Sequence, residues 1–143
     1  MCGELDDDIQ VDNDIFQLFL AIARRHGATP QEDRSGIPDL EEPAGRSAYM
    51  DTLFSAGLVR AVSDASAAVE GQRVDAIASQ AIAFARLAGF LAGQLPPEAD
   101  LFRATIEALT DGHATCGRTA ESLRHAHDHH HDHDHHHHHD HSH

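Results

Sequence analysis

Residues 47–95, SAYMDTLFSAGLVRAVSDASAAVEGQRVDAIASQAIAFARLAGFLAGQL, decide the fold class of the chain. Met50, Leu53 or Phe54, Leu58, Ala61 or Val62, Ala65 and Val69 recur at the three-to-four spacing that lays one apolar face along a helix, and Gly71 stops the run. A second run starts at Arg73 or Val74. It carries Val74, Ile77, Ala81, Phe84 or Ala85, Ala88, Leu91 or Ala92 and Leu95 inward, and Pro96, which has no N–H to donate, ends it. The short connection between the runs makes them an antiparallel hairpin. Its facing rows include Ala56, Gly57, Ala61, Ala65, Ala78, Ala81, Ala85, Ala88 and Gly89, small enough for axes to approach the short end of the usual ~8–10 Å range.

Toward the N-terminus, Asp12 or Asn13 suits an N-cap, and Ile15, Leu18, Phe19 and Ile22 follow at helical spacing. Arg24, Arg25 and His26 suit the negative end of the helix dipole, and Gly27 closes the helix at C′. Residues 1–11, with Glu4, Asp6, Asp7 and Asp8, read as a mobile acidic lead. From Ala28 to Arg46 three prolines and two glycines leave a long connection with little periodicity.

Toward the C-terminus, Pro97 fits N1 of a fourth helix, Glu98 and Asp100 favour its positive end, and Leu101, Phe102, Ile106 and Leu109 give it a core face. The pair Asp111-Gly112 is expected to break it, with a shorter fifth helix from about Ala114 to Arg124. The chain therefore reads as all-α: a small four-helix bundle or helical hairpin assembly over residues 12–124, followed by a disordered His/Asp-rich tail over residues 125–143. So few aromatics (5%) give a limited core, and self-association into a homodimer through the Ala/Gly-rich hairpin is expected to supplement it.

Charge excludes one large class of partner. The formal charge is -14 with neutral histidine, every basic side chain is Arg, and no basic face of any length exists to neutralise phosphates, so nucleic-acid binding is disfavoured. MCGELDDDIQ at the start is acidic and lacks the apolar core of an export signal, and two cysteines, Cys2 and Cys116, make no disulfide framework. The apolar stretch Ala76 to Leu95 is interrupted by Ser79, Gln80, Arg86 and Gln94, which reads as a buried helix and not as a membrane span. A cytoplasmic protein is expected.

Chemistry concentrates in the last nineteen residues, HAHDHHHDHDHHHHHDHSH. Histidines stand at His125, His127, His129, His130, His131, His133, His135, His136, His137, His138, His139, His141 and His143, interleaved with Asp128, Asp132, Asp134 and Asp140. No side chain there is a larger aliphatic than Ala126, so the run has nothing to bury. Neutral imidazole is a borderline donor for nickel, zinc, copper and cobalt, and the carboxylates add oxygen ligands and negative charge beside a bound dication. An affinity tag is normally an unbroken hexahistidine, whereas the longest run here is His135 to His139. Protonating all fifteen histidines of the chain would take the formal charge from -14 to +1, and protons compete with metal for the same nitrogens.

One further donor pair stands just upstream, His113-Ala-Thr-Cys116. Three-residue spacing on a helix puts both donors on one face, a bidentate clamp of mixed nitrogen and sulfur character; the other reading is an exposed helix-end histidine and a small semi-buried cysteine. A third donor is sought in Cys2, His26 or the same pair of a second subunit. No nucleotide-binding glycine loop, H-E-x-x-H, G-x-S-x-G or repeated Glu-x-x-His pattern is present, and no catalytic activity is expected.

The segment His113 to His143, a histidine- and aspartate-rich run with H-x-x-C just before it, resembles the tails of bacterial nickel accessory proteins of carbon monoxide dehydrogenase, hydrogenase and urease maturation. The resemblance implies nickel buffering or delivery to an apo-metalloenzyme or its maturation machinery. It does not extend to residues 1–112, which carry neither the P-loop nor the prolyl-isomerase pattern found among such proteins. Two functions are thus expected from the sequence: metal storage or delivery, or a metal-responsive regulatory or adaptor module.

Overall fold

The structure is a computed structural model that describes residues 3–32 and 36–131, with the backbone alone at 3–6 and 127–131. Among the described residues it is all-α, with four α-helices and no strand: α1 Gly3–Arg25, α2 Pro43–Ala67, α3 Arg73–Ala92 and α4 Leu101–His131. A 3₁₀ turn, Pro97–Ala99, precedes α4. The chain divides into two units, Met1–Pro96 with the first three helices and Pro97–His143 with the fourth.

In the first unit, α1 begins at Gly3, so the acidic lead expected to be mobile is helical. Asp7 and Asp8 follow its first turn, near the positive end of the helix dipole, and Gln10 Nε2 donates to Asp14 Oδ1 one turn on at 2.9 Å. The other end is the one the sequence implies. Gly27 takes φ +76°, Ala28 N donates to Ala23 O at 3.0 Å and Gly27 N to Arg24 O at 3.0 Å, the two bonds of a Schellman cap.

The connection into α2 is shorter and better tied than its composition suggests. Pro43, not Ser47, opens the helix at its first turn. Glu41 N donates to Asp39 Oδ1 at 2.9 Å, and Arg46 reaches back to the carbonyls of Leu40 and Glu41 at 2.7 and 2.9 Å. Gly45 is required there, because a Cβ on it would stand 1.9 Å from the Asp39 carbonyl oxygen.

α2 and α3 form the expected hairpin. Gln72 N donates to Val69 O at 2.9 Å across the turn, and Gly71 takes φ +90° within it, the conformation a type II turn demands of its third residue. Small residues line the seam: Gly57, Ala61, Ala65, Ala76 and Ala88 are half-buried. Gln80 spans it, its Nε2 donating to Ala61 O on α2 at 3.4 Å, while its Oε1 is buried with no partner.

The inward rows expected of these helices are largely not buried. Ala92 is the one residue buried among the described ones, and Val74 and Phe54 are 74% and 71% exposed. Two helices joined by a tight turn cover one line of each other, so the remainder of each apolar arc has no partner. The reading of Ala76 to Leu95 as a buried helix is corrected accordingly: an 18-residue window of α3 has mean hydropathy 1.4, the helix is long and apolar enough to cross a membrane by length and composition, and none of that window is buried.

In the second unit, Pro97 belongs to the 3₁₀ turn and not to the first turn of the helix. Asp100 separates the two, with φ 49° and its carboxylate accepting from Arg103 Nε at 2.7 Å. The expected break at Asp111-Gly112 and the separate fifth helix are absent, since α4 runs without interruption from Leu101 to His131. A single glycine costs a helix interior ~1 kcal/mol, less than ending and renucleating the helix would. Thr105, Thr110 and Thr119 hydroxyls donate to the carbonyl one turn back at 2.8 to 3.0 Å. The first seven residues of the tail, expected to be disordered, are therefore helical backbone, and 132–143 lie outside the described residues.

Candidate metal centre

Continuity of α4 decides where the donors fall. Phe102, Ile106, Leu109, His113, Cys116, Ala120 and Leu123 are spaced alternately by four and three, the repeat that keeps one stripe of a helix facing a partner. His113 and Cys116 occupy consecutive positions in the middle of that stripe. Continuing the same register reaches positions 127 and 130, both histidine, still within the helix.

Neighbouring positions along the stripe are neutral or basic. They are Arg103, Thr105, Thr110, Gly112, Gly117, Thr119, Arg124 and Ala126, whereas the carboxylates Glu107, Asp111 and Glu121 lie on the outer faces of the helix and Asp100 precedes its first residue. Arg103 turns its side chain to Asp100 at 2.7 Å and Glu107 at 3.8 Å. Gly112 and Gly117 flank the donor pair one on each edge, and a Cβ built on either meets open space.

From Phe102 to Leu123 the stripe is exposed except at Ala120, which is half-buried. Phe102 and Leu123 are 68% and 62% exposed, and Cys116 is a free, exposed thiol. His113 and His125 are exposed as well. Glu121 and His125, four residues apart on α4, make a second carboxylate and imidazole neighbour pair off the stripe. His127, His129, His130 and His131 belong to the last turns of α4, while His133, His135, His136, His137, His138, His139, His141 and His143 lie outside the described residues. No group of three or more His, Cys, Asp or Glu converges to hold an ion among the described residues.

The other donors considered from sequence are placed elsewhere or not at all. His26 stands edge-on to Phe90, ring centroids 5.5 Å apart and planes at 82°, so its ring packs the end of α1 against the end of α3. Cys2 lies outside the described residues. An open groove of about 450 Å³ between α2 and α3 is lined by Leu58, Val62, Arg73 and Ile77 among others and includes no histidine, cysteine or carboxylate. It is an apolar surface, not a metal site. What sequence reasoning missed is the stripe itself, whose four-three spacing was present in the residues but was cut in two by the assumed break at Gly112.

No family model, no curated protein and no solved structure matches the chain.

Proposed function

We propose that the protein stores or delivers a divalent transition metal, nickel foremost with zinc, cobalt or copper as competitors, through the donors of its C-terminal segment. The observation that carries this reading is the composition of the last nineteen residues, thirteen histidines and four aspartates with nothing to bury. Such a run supplies many imidazoles at high local concentration and no fixed cage, so it takes several ions with affinities that follow the general divalent order. The helical body then serves as a docking module for an apo-metalloenzyme or its maturation machinery in the cytoplasm, without catalysis of its own. Exposed apolar arcs on α2 and α3, including Phe54, Val62, Ile77 and Ile82, offer a surface for such a client.

A metal-responsive adaptor is the second reading, favoured by the placement of His113 and Cys116 on the apolar stripe of α4, where an ion would alter what that stripe pairs with. Stoichiometry separates the two. Equilibrium dialysis of the reduced full-length chain against Ni²⁺ is expected to show several ions per chain, lost when the thirteen tail histidines are changed to asparagine. Binding of about one ion per chain or fewer, unchanged by those substitutions, would overturn the storage reading.

A further inference from the structure

We propose that α4 pairs with α4 of a second copy, with the two 113–116 segments facing each other across a two-fold axis, and that the two His113–Cys116 pairs together form a four-donor site for one zinc-class ion. This rests on the metal-handling reading above for its biological sense, though not for its chemistry.

Donor arithmetic requires the second copy. A structural or tightly held tetrahedral dication takes four nitrogen and sulfur ligands, a single α4 offers two within one turn of the stripe, with positions 127 and 130 at least ~16 Å further along the axis, and no third donor converges among the described residues. Two-fold repetition makes the set Cys₂His₂ without any other part of the chain. The helix geometry also fixes the level at which the two copies must meet. With ~1.5 Å rise per residue, His113 and Cys116 stand ~4.5 Å apart along the axis, so parallel in-register pairing, or antiparallel pairing centred between the two residues, brings two imidazoles and two thiols into two adjacent layers. Antiparallel pairing centred on His113 would push the two thiols ~9 Å apart along the axis. One ion with ~2.3 Å metal–sulfur bonds spans at most about 4.6 Å between sulfurs, so it would bind only one of them.

Three features of the stripe fit this partner. Gly112 and Gly117, each a costly residue within a helix, stand on the two edges of the stripe at the level of the donors and leave open space beside them, which lets a second backbone come close there. The three carboxylates of residues 101–124, Glu107, Asp111 and Glu121, are off the stripe, so two copies of a chain carrying -14 meet there along a line free of negative charge. The apolar content is also limited: the stripe from Phe102 to Leu123 has four large apolar side chains among seven positions, against the roughly 20–30 residues a side of a standard stable interface. Dimerisation is therefore linked to the ion, and each Cys116 thiol gives up its proton to solvent on ligation. A tetrahedral S₂N₂ set prefers zinc, with cobalt its spectroscopic stand-in, over the nickel that imidazole and carboxylate tails accommodate.

The test uses the reduced full-length chain with the thirteen tail histidines changed to asparagine, so that the tail does not compete. Co²⁺ titration is read by thiolate-to-cobalt charge-transfer and tetrahedral ligand-field bands, and mass by sedimentation. The bands are expected to saturate at one Co²⁺ per two chains as monomer converts to dimer, to bleach when Zn²⁺ is added, and to vanish in Cys116→Ser and in His113→Ala. Gly117→Leu, which blocks close approach without touching a donor, is expected to weaken binding at least tenfold. Saturation at one ion per monomer, bands that persist in Cys116→Ser, or a dimer that forms equally without metal would each overturn the proposal. Failure of the tail as a reservoir leaves these readouts unchanged, and loss of the cobalt bands leaves the tail's uptake unchanged, so the two readings fail separately.

Discussion

Gly27 carries the left-handed φ of +76° that closes α1, and open space surrounds its Cα. An alanine there meets no neighbour and suffers only the backbone penalty, so Gly27→Ala is expected to destabilise the first unit by ~1 kcal/mol in urea denaturation. Gln80 offers the opposite case. Its amide bonds are long, 3.4 Å to both Ala61 O and Ala76 O, and its Oε1 is buried unpaired. Replacing an unsatisfied buried acceptor by an apolar group of similar size removes a desolvation cost, and Gln80→Leu is expected to stabilise the α2–α3 hairpin by ~1 kcal/mol. A loss of stability in Gln80→Leu would mean that the amide bonds outweigh the orphaned oxygen.

Helices α2 and α3 and the Schellman cap of α1 were legible in the sequence because each rests on local signals: apolar spacing and glycines that must take positive φ. Burial was not legible in the same way. Periodicity gives the direction of an apolar arc but not whether anything covers it, and Val74 and Phe54 on expected inward rows are in fact open. α4 was misread at one point, Asp111-Gly112, where a turn signal of modest local cost stands inside a helix held by the turns on both sides. That one misreading hid the register that aligns His113 and Cys116 with Phe102, Ile106, Leu109 and Leu123, although the donors themselves were recognised by type and spacing. The continuity of α4 has a direct check: Gly112→Ala is expected to raise helix stability by ~0.5–1 kcal/mol with unbroken circular-dichroism helicity. Gly112→Pro, by contrast, should cost about 3 kcal/mol and separate the two halves of the helix. A neutral proline substitution would show that a break exists at that point after all.

At the scale of the whole molecule, charge and metal are coupled through the same histidines. The chain carries -14 with those side chains neutral, and a loaded tail offsets part of that charge with bound dications. Lowering the pH places protons on the imidazole nitrogens that ligate metal, so bound ion is expected to be retained at neutral pH and released on mild acidification, checked by dialysis of the nickel-loaded chain at the two conditions. Because α4 continues to His131, truncation at Arg124 would remove two turns of helix with the donors, and substitution of histidine by asparagine separates the two effects. The most direct measurement is calorimetric titration of Ni²⁺ into the reduced full-length chain and into its full-length counterpart with the thirteen tail histidines changed to asparagine. Several ions per chain in the first, falling to one per two chains or fewer in the second, is the predicted result; equal uptake by both would contradict the account.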